Sequence, residues 1–112
     1  MKVYEMNQMT QIFGSVSGFE WDKGNIDKNW EKHHVAYVEC EELLLSGRFI
    51  LSKDTTHSAT EDRYQVLGRT DEGRILFLSF TLRGDKVRVI TARDASKKER
   101  KTYEEAEKSA NL

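Results

Sequence analysis

The chain has 112 residues, 38% hydrophobic and 33% charged, with 5 Phe, 4 Tyr, 2 Trp, no proline and a formal net charge of -1. That length suits one compact domain, the aromatics can seed a small core and so argue against disorder throughout, and the near-neutral balance does not demand a nucleic-acid partner. The single cysteine, Cys40, excludes an intramolecular disulfide and a thiolate zinc cluster; no apolar run is long enough to cross a bilayer and no basic-then-apolar leader is present, so a soluble cytoplasmic protein is expected.

The charge is unevenly placed. Residues 1–62 hold 6 Lys/Arg against 11 Asp/Glu, whereas residues 63–112 hold 12 against 8. An anionic ligand is therefore expected to meet the second half.

In chain order, residues 1–17 are mildly apolar, fit a helix or a strand, and are set apart as an N-terminal extension to a domain spanning 18–112. "GFEWD" predicts a short strand over Phe19–Trp21, and Asp22 is a helix N-cap whose carboxylate can accept from the next turn. The helix runs from Lys23 to His33, with Ile26 and Trp30 inward and Asn29, Lys32 and His33 on another side. A second helix covers Val38–Leu45 and stops at Gly47. Within it Cys40, in "VECEELLL", reads as a small buried thiol rather than a nucleophile.

"RFILS" is a strand, "KDTTHSATED" a polar loop, and "RYQVLGR", "RILFLSFTL" and "VRVITAR" are strands joined by the turns "DEG" and "RGDK". Ser96 and Glu99 form a capping box that opens a last helix. Pairs Arg100–Glu104 and Lys101–Glu105 are expected to support it, and Tyr103, Ala106 and Ala110 give it a thin apolar stripe. The order β-α-α-β-β-β-β-α predicts an α+β domain with helices packed on an antiparallel sheet.

Two hairpins fix an expected register. A loop centred on Gly84 and Asp85 pairs Thr81 with Arg88, Ser79 with Ile90 and Phe77 with Ala92. A three-residue loop with a left-handed Gly73 pairs Arg63 with Thr81. Period-2 alternation then gives a core face of Leu76, Leu78, Phe80, Leu82, Val87 and Val89. The opposite face carries Ile75 and Phe77 at one end and Ser79, Thr81, Arg63, Arg83 and Arg88 at the other. Three guanidiniums on one face suit a phosphate, because each is a planar fork of donors; three surface ion pairs are the alternative.

Lys32 and His33 at a helix end can transfer protons, or simply complement the helix dipole. His33 and His34 are adjacent, so they point about 100° apart on a helix and cannot share a metal. No HExxH, phosphate-binding Gly loop or nucleophile elbow occurs, so no metal or cofactor is expected. Glu61 and Arg63, two apart, share a face as an ion pair or as a carboxylate that positions an arginine.

Taken together, "FEWD", Asn29-x-x-Lys32-His33, Glu61-x-Arg63, Thr81-x-Arg83, Arg88, Ala92-Arg93, Glu99-Arg100 and Tyr103 resemble the BrnT toxins of bacterial type II toxin–antitoxin systems. The resemblance runs in order over about three-quarters of the chain. It implies a RelE-like fold, a ribonuclease that blocks translation, and a BrnA-like ribbon-helix-helix antitoxin through which alone the toxin meets DNA. The family usually has glycine where this chain has His34, in a left-handed turn that histidine tolerates at some cost.

RNA carries its own nucleophile, the 2′-hydroxyl, so cleavage requires proton transfer and charge stabilisation rather than a metal. On this reading Lys32, His33, Glu61, Arg63 and Arg83 are catalytic, and Arg88, Arg93 and Tyr103 contact RNA. A non-catalytic module that binds an antitoxin is the rival reading.

Overall fold

A computed structural model describes residues 12–54 and 61–110. The elements are β1 (Gly18–Phe19), α1 (Lys23–His33), α2 (Tyr37–Ser46), β2 (Phe49–Asp54), β3 (Arg63–Arg69), β4 (Ile75–Arg83), β5 (Lys86–Asp94) and α3 (Lys97–Ala110). The sheet order is β1-β5-β4-β3-β2. Strands β2 to β5 form an antiparallel meander.

The sheet is mixed rather than antiparallel throughout, because β1 runs parallel to β5. β1 is placed by backbone bonds from Ser17 N–H to the Asp85 carbonyl and from Glu20 N–H to the Val87 carbonyl. The chain then leaves through two helices to reach β2 on the far edge, a crossover that a tight hairpin cannot make. Of the N-terminal extension, residues 1–11 lie outside the described residues, as do positions 55–60 of the polar loop, His57 among them. Ile12, Phe13 and Val16 pack on the main core.

Local chemistry sets the helix ends. Asp22 Oδ1 accepts from the Asn25 N–H at 2.7 Å to start α1. At its end His34 adopts the left-handed conformation, with φ 53° and ψ 38°. The His34 N–H reaches the Trp30 carbonyl at 2.8 Å and the Val35 N–H the Asn29 carbonyl at 3.2 Å. The left-handed turn expected at this position therefore forms with a histidine. Ser96 and Glu99 close the expected capping box on α3. The ion pairs of the described residues include neither Arg100–Glu104 nor Lys101–Glu105.

The main core lies on one sheet face and contains Leu76, Leu78, Phe80, Val87 and Val89 with Cys40 and Leu43 of α2; Leu82 packs on its margin. The second cluster, Ile50, Leu67, Ile75, Ala95 and Tyr103, lies where α3 covers one end of the other face. α3 is tied to β3 by Arg69, whose Nε and Nη2 each donate to Glu107 at 3.0 Å.

The β4–β5 register follows expectation at Thr81↔Arg88 and then shifts by one, giving Ser79↔Thr91 and Phe77↔Arg93. The cause is a bulge in β5. Without it Arg93 would share the core face and Ala92 would turn outward. With it Ala92 is fully buried, and the Arg93 guanidinium lies 4.2 Å from the Phe77 ring centroid. An unmatched buried cation costs far more than one irregular ladder step.

No helix among the described residues is long and apolar enough to cross a membrane.

Candidate functional site

The polar face of the sheet is laid out in rows, because cross-strand partners share a face. Arg63, Thr81 and Arg88 form one row; Gln65, Ser79 and Thr91 the next; Leu67, Phe77 and Arg93 a third, beneath α3. The strand spacing puts Arg63 and Arg88 roughly 10 Å apart across Thr81. Thr81 is buried, and its hydroxyl donates to the Asp62 carbonyl at 2.7 Å.

α1 does not lie over either face. It runs along the outer edge of β5, beyond the two residues covered by β1. The Asn25 amide donates to the Val89 carbonyl and Lys28 Nζ to the Ile90 carbonyl at 3.1 Å. Asn29 Oδ1 accepts from the Ala92 N–H at 3.3 Å. Asn29 is 2% exposed, so its side chain is the buried pin between helix and strand. This parallel alignment sets the two ends of α1 beside the two ends of β5.

The sequence-predicted residues therefore fall into two groups. At the hairpin end, Arg88 bonds Asp22 and lies 3.9 Å from Glu20. Exposed Arg83 acts electrostatically on the same Asp22. Glu61 Oε1 lies 3.9 Å from Arg63 Nε. At the opposite end sit Lys32 and His33, the last residues of α1, with Arg93 on β5. Arg88 and Arg93 are five residues apart on one strand, about 15 Å. The expected convergence of Lys32 and His33 with Arg83 on one phosphate is thus replaced by two separate centres.

The α1 end is organised by two residues that the sequence reading did not single out, Arg74 and Asp94. Arg74 Nε donates to Asp94 at 2.7 Å and Nη1 to Glu39 Oε2 at 3.1 Å. Its Nη1 and Nη2 also donate to the carbonyls of His34 and His33, at 2.8 and 3.1 Å. One guanidinium thus joins β4, the end of β5, the start of α2 and the turn that carries His33. The hydrogen bond from Arg74 holds the Asp94 carboxyl below the usual range against the opposing effect of partial burial; Arg100 and His33 act on it in the same direction as Arg74. His33, half-buried, and Arg100, exposed, thus both act electrostatically on a carboxylate whose direct partner is Arg74. Extending the expected hairpin register past Phe77, which sets Asp94 opposite Ile75 and so next to Arg74, is the signal that would have brought the pair into view.

Arg93 has a different setting from the one expected. It stacks on Phe77 and makes a two-pronged pair with Glu99, at 2.8 and 3.0 Å. That hydrogen bond is the main reason the Glu99 carboxyl titrates below its usual range. Tyr103, expected to touch substrate, is fully buried, and its hydroxyl donates to the Arg48 carbonyl at 3.2 Å. It is a core residue on the inner face of α3. Cys40 is also buried, and burial pushes its thiol up to about 12, which keeps it protonated and unreactive.

The family model for "Ribonuclease toxin, BrnT, of type II toxin-antitoxin system" matches residues 21–99. Among solved structures, the chain is similar to the 1.1 Å crystal structure of the Brucella abortus ribonuclease toxin BrnT. The two share 21% identity with a TM-score of 0.54, over 73% of this chain and 100% of that one. At that identity the likeness is one of fold. No curated protein matches.

Proposed function

The chain belongs to the BrnT family of type II toxin–antitoxin ribonuclease toxins, and from that premise we propose that it is a cytoplasmic endoribonuclease of RelE-like architecture that cuts RNA without a metal. The 2′-oxygen gives up its proton and attacks the neighbouring phosphorus. The bond to the 5′-oxygen breaks, and that oxygen takes a proton as it leaves.

The observation that carries this reading is the grouping at the α1 end. Arg74 donates both to the His33 carbonyl and to the Asp94 carboxylate, and His33 and Arg100 both act electrostatically on that carboxylate. Imidazole can accept and donate protons near neutral pH, so His33 is assigned the proton transfer. Lys32 is its neighbour, and Arg100 supplies positive charge for the phosphoryl oxygens. Arg63, Arg83 and Arg88, with Glu61 as arginine positioner, hold a more distant stretch of the same RNA. A BrnA-like ribbon-helix-helix antitoxin is the neutralising partner, and DNA is met only through it.

Purified protein should cut RNA in EDTA and leave a 2′,3′-cyclic phosphate. His33→Ala should lower the rate by roughly a hundredfold or more. Cleavage that appears only with a divalent metal overturns the mechanism.

One observation favours a second reading. Arg63, Arg88 and Arg93 each face a carboxylate, an arrangement that holds a fold together without any substrate. On that reading the chain is a non-catalytic module that captures an antitoxin. A wild type that binds its antitoxin but causes no growth arrest on induction would favour it.

A further inference from the structure

Four arginines in or beside the sheet are matched by acids: Arg69 by Glu107, Arg74 by Asp94 and Glu39, Arg88 by Asp22, and Arg93 by Glu99. The first two turns of α3 are the opposite case. Lys97, Lys98, Arg100 and Lys101 are all exposed. Among the described residues none of the four forms a salt bridge. The one acid among them, Glu99, is taken by Arg93 and by the Ser96 N–H.

Local physics opposes this placement. The start of a helix carries the positive end of its dipole, which favours acids and disfavours lysines. α3 puts lysine at its first two positions, Lys97 and Lys98. A like-charged cluster at the wrong end of a helix gains a rationale when an anion lies across it. The cluster also has a direction. Lys97, Arg100 and Lys101 line one end of a shallow groove of the helix surface that Glu104, Glu105 and Lys108 complete, and Arg100 acts electrostatically on the Asp94 carboxylate, as His33 does.

We propose that the basic start of α3, Lys97, Lys98 and Lys101 with Arg100 as the link, is a phosphate-tracking surface for the RNA strand as it leaves the cleavage centre. The choice of RNA as the anion rests on the reading of the chain as a ribonuclease. The lysines grip the backbone and not the bases, so they set affinity and salt dependence rather than sequence preference. They bear on KM for long RNA and leave the chemical step alone.

The test is a Lys97→Gln, Lys98→Gln, Lys101→Gln triple variant. Glutamine is a good helix former and the three sites are exposed, so the fold is retained; circular dichroism checks this. Binding is read by fluorescence anisotropy with a 20-nucleotide 2′-O-methyl RNA, which keeps the phosphates and removes the attacking hydroxyl. The variant should bind about tenfold or more weakly at low salt, and its log Kd against log salt slope should be shallower by about 2, from three lost contacts at ~0.7 each. On cleavable RNA of the same length KM should rise with kcat unchanged, and a tetranucleotide should be cut equally by both proteins. Wild-type binding and salt slope in the triple variant overturn the proposal, and would turn attention to an acidic protein as the patch's partner. Loss of kcat with intact binding overturns it too. A wild type that binds the methylated RNA through this surface but never cleaves RNA refutes the ribonuclease reading and spares this one.

Discussion

Arg74→Ala is the substitution from which the most can be learned about stability. It removes the guanidinium from Glu39, Asp94 and the carbonyls of His33 and His34 at once. Hydrogen bonds to a charged group contribute about 1.5–3 kcal/mol each when well buried. Asp94 is 60% exposed and recovers water, so its share is discounted; Glu39, at 25%, recovers less. The two carbonyls lie at a turn already strained by a non-glycine residue at positive φ. The sum is a loss of about 2–3 kcal/mol, a large part of the ~5–15 kcal/mol typical of a domain. Urea unfolding followed by tryptophan fluorescence should show the midpoint falling by roughly 1–2 M with an unchanged slope. Arg74→Lys keeps the charge but cannot span four acceptors, and should recover less than half of the loss. A fall below about 1 kcal/mol in the alanine variant would show that water replaces the guanidinium and that the hub is not what holds this corner together.

His34→Gly should stabilise the protein by about 0.5–1 kcal/mol, since glycine adopts the left-handed turn freely; the gain is reduced by loss of the edge-on contact with Trp30. Unfolding midpoints measure it. Tyr103→Phe should cost about 1 kcal/mol of stability and leave RNA cleavage unchanged, because the hydroxyl bonds Arg48 inside the protein; a large loss of kcat would return Tyr103 to the site. Gly68→Ala should destabilise by about 1–3 kcal/mol, for its new methyl would lie 2.8 Å from the Arg48 carbonyl oxygen and 2.6 Å from Leu43 Cδ1. The Glu99 carboxyl titrates lower in the folded than in the unfolded chain. Its stabilising effect is therefore full above the ordinary glutamate range near 4.5 and is lost as pH falls below it. Urea midpoints measured from pH 7 to 3 should decline less steeply in Glu99→Gln.

The elements were legible because their signals are local. Asp22, Gly47, the Ser96–Glu99 box and left-handed Gly73 mark where helices and turns begin and end, and all four behave as their chemistry dictates. The two faces of the sheet followed from period-2 alternation anchored at Thr81. Two features were not legible. The parallel pairing of β1 with β5 joins residues far apart in sequence through only two pairs, too little for any pattern to reveal. The bulge adds one residue to β5 without a glycine or proline to announce it. Its absence from the expected register hid the stacking of Arg93 on Phe77. The site was read as one centre because arginines on a common face look convergent in sequence. Only the path of α1 along the β5 edge shows that His33 and Arg88 belong to opposite ends.

That path has a consequence for how copies of this protein can meet. α1 stands where a sixth strand would pair with β5, and β1 offers only two residues on that side. Among the described residues, β2 alone presents a full-length outer edge. Sheet growth by edge pairing is thus one-sided. Two copies joined β2 to β2 about a twofold axis would leave no second edge for a third, so such association would close at a pair instead of propagating into a fibre.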